Sequence, residues 1–335
     1  MRGAFFRALA ELAEREERVH LVVGDIGFGV TETFAQRFPS RFLNVGVAEQ
    51  NMTGIAAGMA LCGKIVFTYS IANFPILRCL EQVRNDICYH QANVKIVAVG
   101  GGLAYGSLGA THHATEDLAI MRSLPRMVVV APGDPAEAEA ATQAIAAHAG
   151  PCFMRLGRAG EPNVHRRPID FRLGKAIQIR GGKDLTLIST GGMLETADHV
   201  AEHLRVAGIG ARVLSMHTVR PLDVEAVLSA ADETRAVFTI EEHSVTGGLG
   251  GAVAEVLAES SGRSVTFRRF GLPPAFSCMV GTQEYLRTQH GLSTESLAKA
   301  IRSILEQSRT PGAGGPENTD RLDLEKVHSN SSSNS

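Results

Sequence analysis

The 335 residues are enough for two domains of ordinary size, each with its own core. The net charge of −2 with both signs interspersed gives no electrostatic reason to expect a nucleic acid or an anionic membrane as partner, and no apolar run approaches a transmembrane span. Five scattered cysteines and twelve dispersed histidines lack metal-ligand spacing, which predicts buried thiols in a reducing, cytoplasmic compartment and no metal held by this chain alone.

The chain opens with MRGAFFRALAELAEREERVH, an amphipathic helical pattern instead of a signal peptide. HLVVGDIGFG reads as a buried strand running into a glycine turn, with Asp25 at the carboxyl end of the strand. VTETFAQRFP is a helix, and residues 41–47 carry the short apolar run of a second buried strand. From Ala48 the pattern becomes a helix crowded with small residues, namely Gly54, Ala56, Ala57, Gly58 and Ala60.

Glu49 stands at that switch. A strand-to-helix switch aims the first helical turn at the crevice beyond the carboxyl ends of the strands, where open α/β sheets bind ligands. An acidic residue in a first helical turn also complements the helix dipole without any ligand, so the position by itself leaves both readings open.

KIVFTYSIANFPILRCLEQVRNDICYH follows as a strand, an irregular turn and a long helix. The strand VKIVAVGG leads into a glycine-rich loop, GGLAYGSLGATHHATED, in which Thr111, His112 and His113 open the next helix; the loop has neither the lysine of a P-loop nor dinucleotide-site spacing. RMVVVAPGDPAEAEAATQAI is a strand, a proline turn and a helix, and PCFMRLGRAGEP is a strand bearing Arg155 and Arg158. Residues 161–180 read as a Pro- and Arg-bearing linker, and strands alternate with helices again over 181–306, as a second doubly wound sheet requires. Glycine turns at 190–192 and 247–251 are assigned to tight turns and helix packing, Glu241, Glu242 and His243 to an interface, and the Pro, Gly, Asn and Ser of 307–335 to a disordered tail.

The phrase VGVAEQN followed by a Gly/Ala-rich helix resembles the pyrimidine-binding segment of thiamine diphosphate enzymes of the transketolase family. The resemblance implies an α/β fold of two doubly wound domains, a pyrimidine-binding thiamin-fold domain over 1–160 and a transketolase C-terminal-like domain over 181–306. It implies that Glu49 matches the catalytic glutamate, which hydrogen-bonds a ring nitrogen of the cofactor's aminopyrimidine and stabilises its imino tautomer. Phe74 matches the aromatic that stacks on that ring, although a phenylalanine in isolation reads as core. Ile71 and Leu77 take flanking positions where the family often has further aromatics. Asp25 corresponds to a strand-end aspartate lining the subunit interface, while Asp before Gly is equally ordinary turn chemistry. His112 falls in a G-x-T-H loop and is implied to contact the substrate carbonyl or hydroxyl oxygen; His113 is left as a surface or supporting residue. Arg158 matches an arginine that binds a sugar phosphate, and Arg155 is expected to be a solvated surface residue.

The pattern also departs from the family. Gly100 stands where transketolases have a second loop histidine, and Ser107 and Leu108 where they have an acidic pair. Those family residues read sugar hydroxyls, so a different substrate stereochemistry or chain length is expected. No Gly-Asp-Gly phrase with a downstream Asn is present to hold a metal and diphosphate, and Gly24-Asp25-Ile26-Gly27 belongs to the pyrimidine half. The resemblance therefore implies the C-terminal subunit of a split transketolase. An N-terminal partner subunit would supply the diphosphate site with Mg2+ or Ca2+, in an α2β2 heterotetramer acting on a sugar phosphate. Two alternatives remain open: a pyruvate-using subunit like the 2-oxoacid dehydrogenase β chain or deoxyxylulose phosphate synthase, and a non-catalytic homologue.

Overall fold

A computed structural model describes residues 1–262 and 264–308. Helix α1 (Arg2–Arg15) buries Phe5, Phe6 and Leu9 and packs against α7 (Pro135–Ala147). Between them the chain lays down parallel strands β1 (Val19–Val23), β2 (Phe42–Asn44), β3 (Ile65–Ile71), β4 (Val94–Val99) and β5 (Val128–Val130), and β6 (Cys152–Leu156) follows α7. All but β2 are near-continuous apolar runs, the composition of parallel strands covered by helices on both faces. Helices α2 (Glu32–Arg37), α3 (Glu49–Leu61) and α6 (Asp117–Ser123) complete the covering layers.

The order across this sheet is β10-β5-β6-β4-β3-β1-β2, in which β10 (Thr218–Arg220) arrives from the second half of the chain and pairs antiparallel with β5. A second sheet, β12-β11-β8-β9-β7, combines parallel β8 (Leu185–Ser189), β9 (Ala211–Ser215), β11 (Ala236–Ser244) and β12 (Thr266–Leu272) with β7 (Ile177–Arg180) antiparallel at the edge. Helices α8 (Leu194–Val206) and α12 (Thr294–Gln307) share one core, and α9 (Val224–Glu233) and α10 (Leu249–Glu259) another. Two α/β domains with mainly parallel sheets are therefore present, as expected.

Several local expectations are corrected. The stretch 41–47 forms only the three-residue β2, which has a single neighbour and leaves Leu43 and Asn44 exposed: it is an edge, not a buried strand. The long helix after Phe74 is broken into α4 (Phe74–Leu77), α5 (Leu80–Gln82) and a π-helical turn over Val83–Tyr89. Helix α6 begins at Asp117, so Thr111, His112 and His113 lie in the loop before it. Part of the stretch read as linker pairs as β7. Gln307 ends α12, and the tail from 309 onward lies outside the described residues.

Two polar hubs tie the first domain to the chain that follows it. Asp134, fully buried, caps α7 by accepting from the Glu137 N–H at 2.9 Å, and it also takes the N–H groups of Val164 and His165 at 2.9 Å, with His165 Nδ1 3.0 Å away. Glu242 on β11 accepts from the Leu103 N–H at 2.7 Å, from Gln283 Nε2 at 2.9 Å and from Arg287 Nε at 2.9 Å, so the second domain grips the loop that follows β4. A Cβ at Gly102 would collide with Glu242, which is why that loop needs glycine there.

Burial pushes the Asp134 carboxyl up, but the hydrogen bonds from His165 and the Glu137 N–H overcome it and hold the group down at about 2, against an ordinary 3.8. A depressed folded-state value contributes stability above the unfolded value that is lost as pH falls through the folded one. About 2 kcal/mol should therefore be present above roughly pH 4 and disappear towards pH 2, as followed by urea unfolding across that range. Asp134→Ala should cost about 2–4 kcal/mol at neutral pH and flatten that dependence. Glu242→Ala, which strands Arg287 and the Leu103 N–H, should cost about 3–5 kcal/mol by the same measurement, and Glu242→Gln less.

Candidate active site

The site is assembled where the parallel strands of the first sheet end. Glu49 is the first residue of α3 and is only 2% exposed. Gly24, just past β1, lies beside it: a Cβ there would be in ordinary van der Waals contact, 3.5 Å from Glu49 Cγ and 3.7 Å from Ser70 Oγ. Ser70 on β3 donates to Glu49 Oε1 at 3.3 Å, and Arg78 Nη1 donates to Oε2 at 3.0 Å. The acid is thus buried among polar partners, as a buried charge must be. Gln50 holds the Arg78 segment through its side-chain amide, which donates to the Arg78 carbonyl at 2.8 Å.

Phe74 opens α4 and is half-buried, with the Arg78 guanidinium carbon 4.3 Å from its ring centroid. The His112 ring meets Phe74 edge to face at 5.4 Å, and Thr111 Oγ1 lies 3.0 Å from His112 Nδ1. Glu49, Arg78, Phe74 and His112 therefore form one continuous chain of contacts. Ile71 is the half-buried last residue of β3, and Leu77 is exposed. Asp25 lies just beyond the end of β1 at φ 57°, exposed, and exchanges two hydrogen bonds with Asn44, one from its own N–H at 3.0 Å and one from Asn44 Nδ2 at 2.9 Å.

Arg158 lies past the end of β6, exposed, with its guanidinium carbon 5.2 Å from the Tyr105 ring centroid. Arg155 corrects its expectation: it is buried, pairs with Asp117 at 3.3 Å and donates to the Glu242 carbonyl at 2.7 Å. Strand β6 carries it into the contact between the domains, where solvation is replaced by ion pairing. His113 is likewise buried, its carbonyl accepting from Asn73. The turn at 190–192 joins Gly101, Arg155, Glu242 and Arg287 around an interdomain cavity of about 160 Å³. At 247–251 the expected helix packing is seen: Glu241 accepts from the Leu249 and Gly250 N–H groups, both at 2.7 Å, at the start of α10. Glu242 and His243 lie at the contact between the two domains, with His243 Nε2 accepting from the Ala119 N–H at 3.2 Å, whereas the hydrogen bonds of Glu241 stay within the second domain.

Sequence reasoning missed Arg78 and Ser70. Both lie far from Glu49 along the chain, and the one visible signal was a lone cation in the otherwise uncharged phrase IANFPILRCL.

The family models "Transketolase, pyrimidine binding domain" and "Transketolase, C-terminal domain" match residues 1–161 and 174–297. The chain is 40% identical to an apulose-4-phosphate transketolase subunit of Phocaeicola vulgatus over 91% of its own length and 97% of that protein's. It is also 40% identical to a 6-deoxy-6-sulfo-D-fructose transketolase subunit of a Clostridium species, over 92% and 95%. A solved structure described as a split gene transketolase, inactive beta4 tetramer, superposes with a TM-score of 0.84 at 39% identity, covering 91% of this chain and 98% of that one. With both domains matched and the likeness running along nearly its whole length, the chain belongs to the transketolase family.

Proposed function

We propose that this chain is the C-terminal subunit of a cytoplasmic split transketolase, transferring a two-carbon ketol unit from a ketose phosphate to an aldehyde within an α2β2 heterotetramer. The observation that carries the reading is the seat between Glu49 and Phe74. The Arg78 guanidinium, flat and rich in N–H groups, donates to the buried carboxylate at 3.0 Å while lying 4.3 Å from the aromatic centroid. A planar heterocycle with an N–H facing Glu49 needs the same two contacts, so the residues fit an aminopyrimidine.

Thiamine diphosphate, when bound, supplies the electron sink for breaking and remaking a carbon–carbon bond next to a ketone. Glu49 would hold the proton at the pyrimidine ring nitrogen, Phe74 would stack on the ring, and Ile71 and Asp25 would line its surroundings. His112 would donate to the substrate oxygen, and Arg158 would take the phosphate in a two-pronged contact. The partner subunit would bring the diphosphate site and its Mg2+ or Ca2+.

The exposed side of α3 and the residues leading into it support a partner. Val47, before the helix, and Leu61, at its end, are 74% and 62% exposed, and nothing lies within 4 Å of a Cβ placed at Gly54 or Gly58. A helix from another chain could approach closely there.

The test is co-expression with an N-terminal transketolase subunit, followed by assay of aldehyde release from ketose phosphates with thiamine diphosphate and Mg2+. Activity should need both chains, and Glu49→Gln should lower kcat by about 10²–10⁴-fold with assembly intact. Turnover by this chain alone would overturn the split reading, and turnover only with pyruvate would reassign the donor.

A further inference from the structure

Beyond the residues used above, the carboxyl end of β4 carries an unassigned contact. Gly100 follows β4 at φ 87°, and the Tyr105 ring folds back so closely over it that a Cβ at position 100 would collide with the ring. This half-buried ring is also the platform beneath the exposed Arg158 guanidinium, 5.2 Å from its centroid. The loop is held from the other side as well. Gly281 N–H donates to the Gly106 carbonyl at 3.3 Å, a Cβ at Gly106 would collide with Leu286, and Glu242 takes the Leu103 N–H. Tyr105 is therefore a fixed aromatic with a polar end, set between the ends of β4 and β6 and on the same loop as His112. A leucine could fill the volume, but a phenol adds a group that both donates and accepts a hydrogen bond.

We propose that Tyr105 is a specificity-determining residue of this site: its ring sets the Arg158 guanidinium for the substrate phosphate, and its hydroxyl hydrogen-bonds a hydroxyl of the sugar. The assignment rests on the ketol-transfer reading for its sugar phosphate. It gives the loop a sugar-reading group at the very place where Gly100 has none.

Wild type, Tyr105→Phe, Tyr105→Leu and Gly100→Ala would each be assembled with the partner subunit. Kinetics would be measured on D-fructose 6-phosphate and D-fructose, and inorganic phosphate binding by calorimetry. Tyr105→Phe should raise KM for both sugars by about 3- to 10-fold, with kcat and phosphate affinity unchanged. Tyr105→Leu should in addition weaken phosphate binding by about 2- to 5-fold and reduce the preference for the phosphorylated sugar by a similar factor. Gly100→Ala, which must displace the ring, should resemble Tyr105→Leu. A Tyr105→Phe enzyme with wild-type KM values, or a Tyr105→Leu enzyme with wild-type phosphate affinity, would overturn the proposal, as would a wild-type complex that binds no phosphate. A wild-type complex that binds phosphate but transfers no ketol unit would sink the functional reading, and the phosphate titrations would still decide on Tyr105.

Discussion

A carboxylate taken almost wholly out of water governs the first domain. Glu49 can stay buried only because a hydroxyl from β3 and a guanidinium from the turn after it meet its two oxygens. Both partners depend on β3 lying beside β1, with α3 packed against it. The buried Ala56, Ala57 and Ala60 let that helix sit close to the sheet. Parallel pairing then brings the ends of β1, β3 and β4 to one edge of the sheet, where Gly24, Ser70 and Gly100 lie.

Arg78 ties this buried acid to the Phe74 ring and to solvent. It is 46% exposed, so its charge is shared between the carboxylate, the Phe74 face and solvent. His112, at the edge of the same aromatic, is half-buried and reaches the crevice from the opposite loop.

The second domain does more than fill space beside the first. Strand β10 extends the first sheet, Arg155 reaches from β6 to the backbone of β11, and Glu242 reaches back to the loop after β4. The loop bearing Tyr105 and His112 is thus held by residues more than a hundred positions away, which gives a glycine-rich segment a defined shape.

How much was legible from sequence follows from which forces act locally. The strand-to-helix switch at Glu49, the alternation of apolar strands with helices, and the glycine loop with His112 were readable because periodicity and turn chemistry are properties of neighbouring residues. The resemblance then assigned Glu49 and Phe74 to one pocket, and the fold brings them together through Arg78. What only the tertiary structure decided were matters of long-range pairing. The apolar run at 41–47 became an exposed edge because strand order is not written in any one strand. Arg155 was pulled into the interior because Asp117 and a carbonyl of the other domain were there to receive it. Tyr105 came to cover Gly100 because the second domain fixes the loop from behind. Composition and periodicity determine which segments form strands and helices; the partners of a buried charge are chosen by packing between segments distant in sequence.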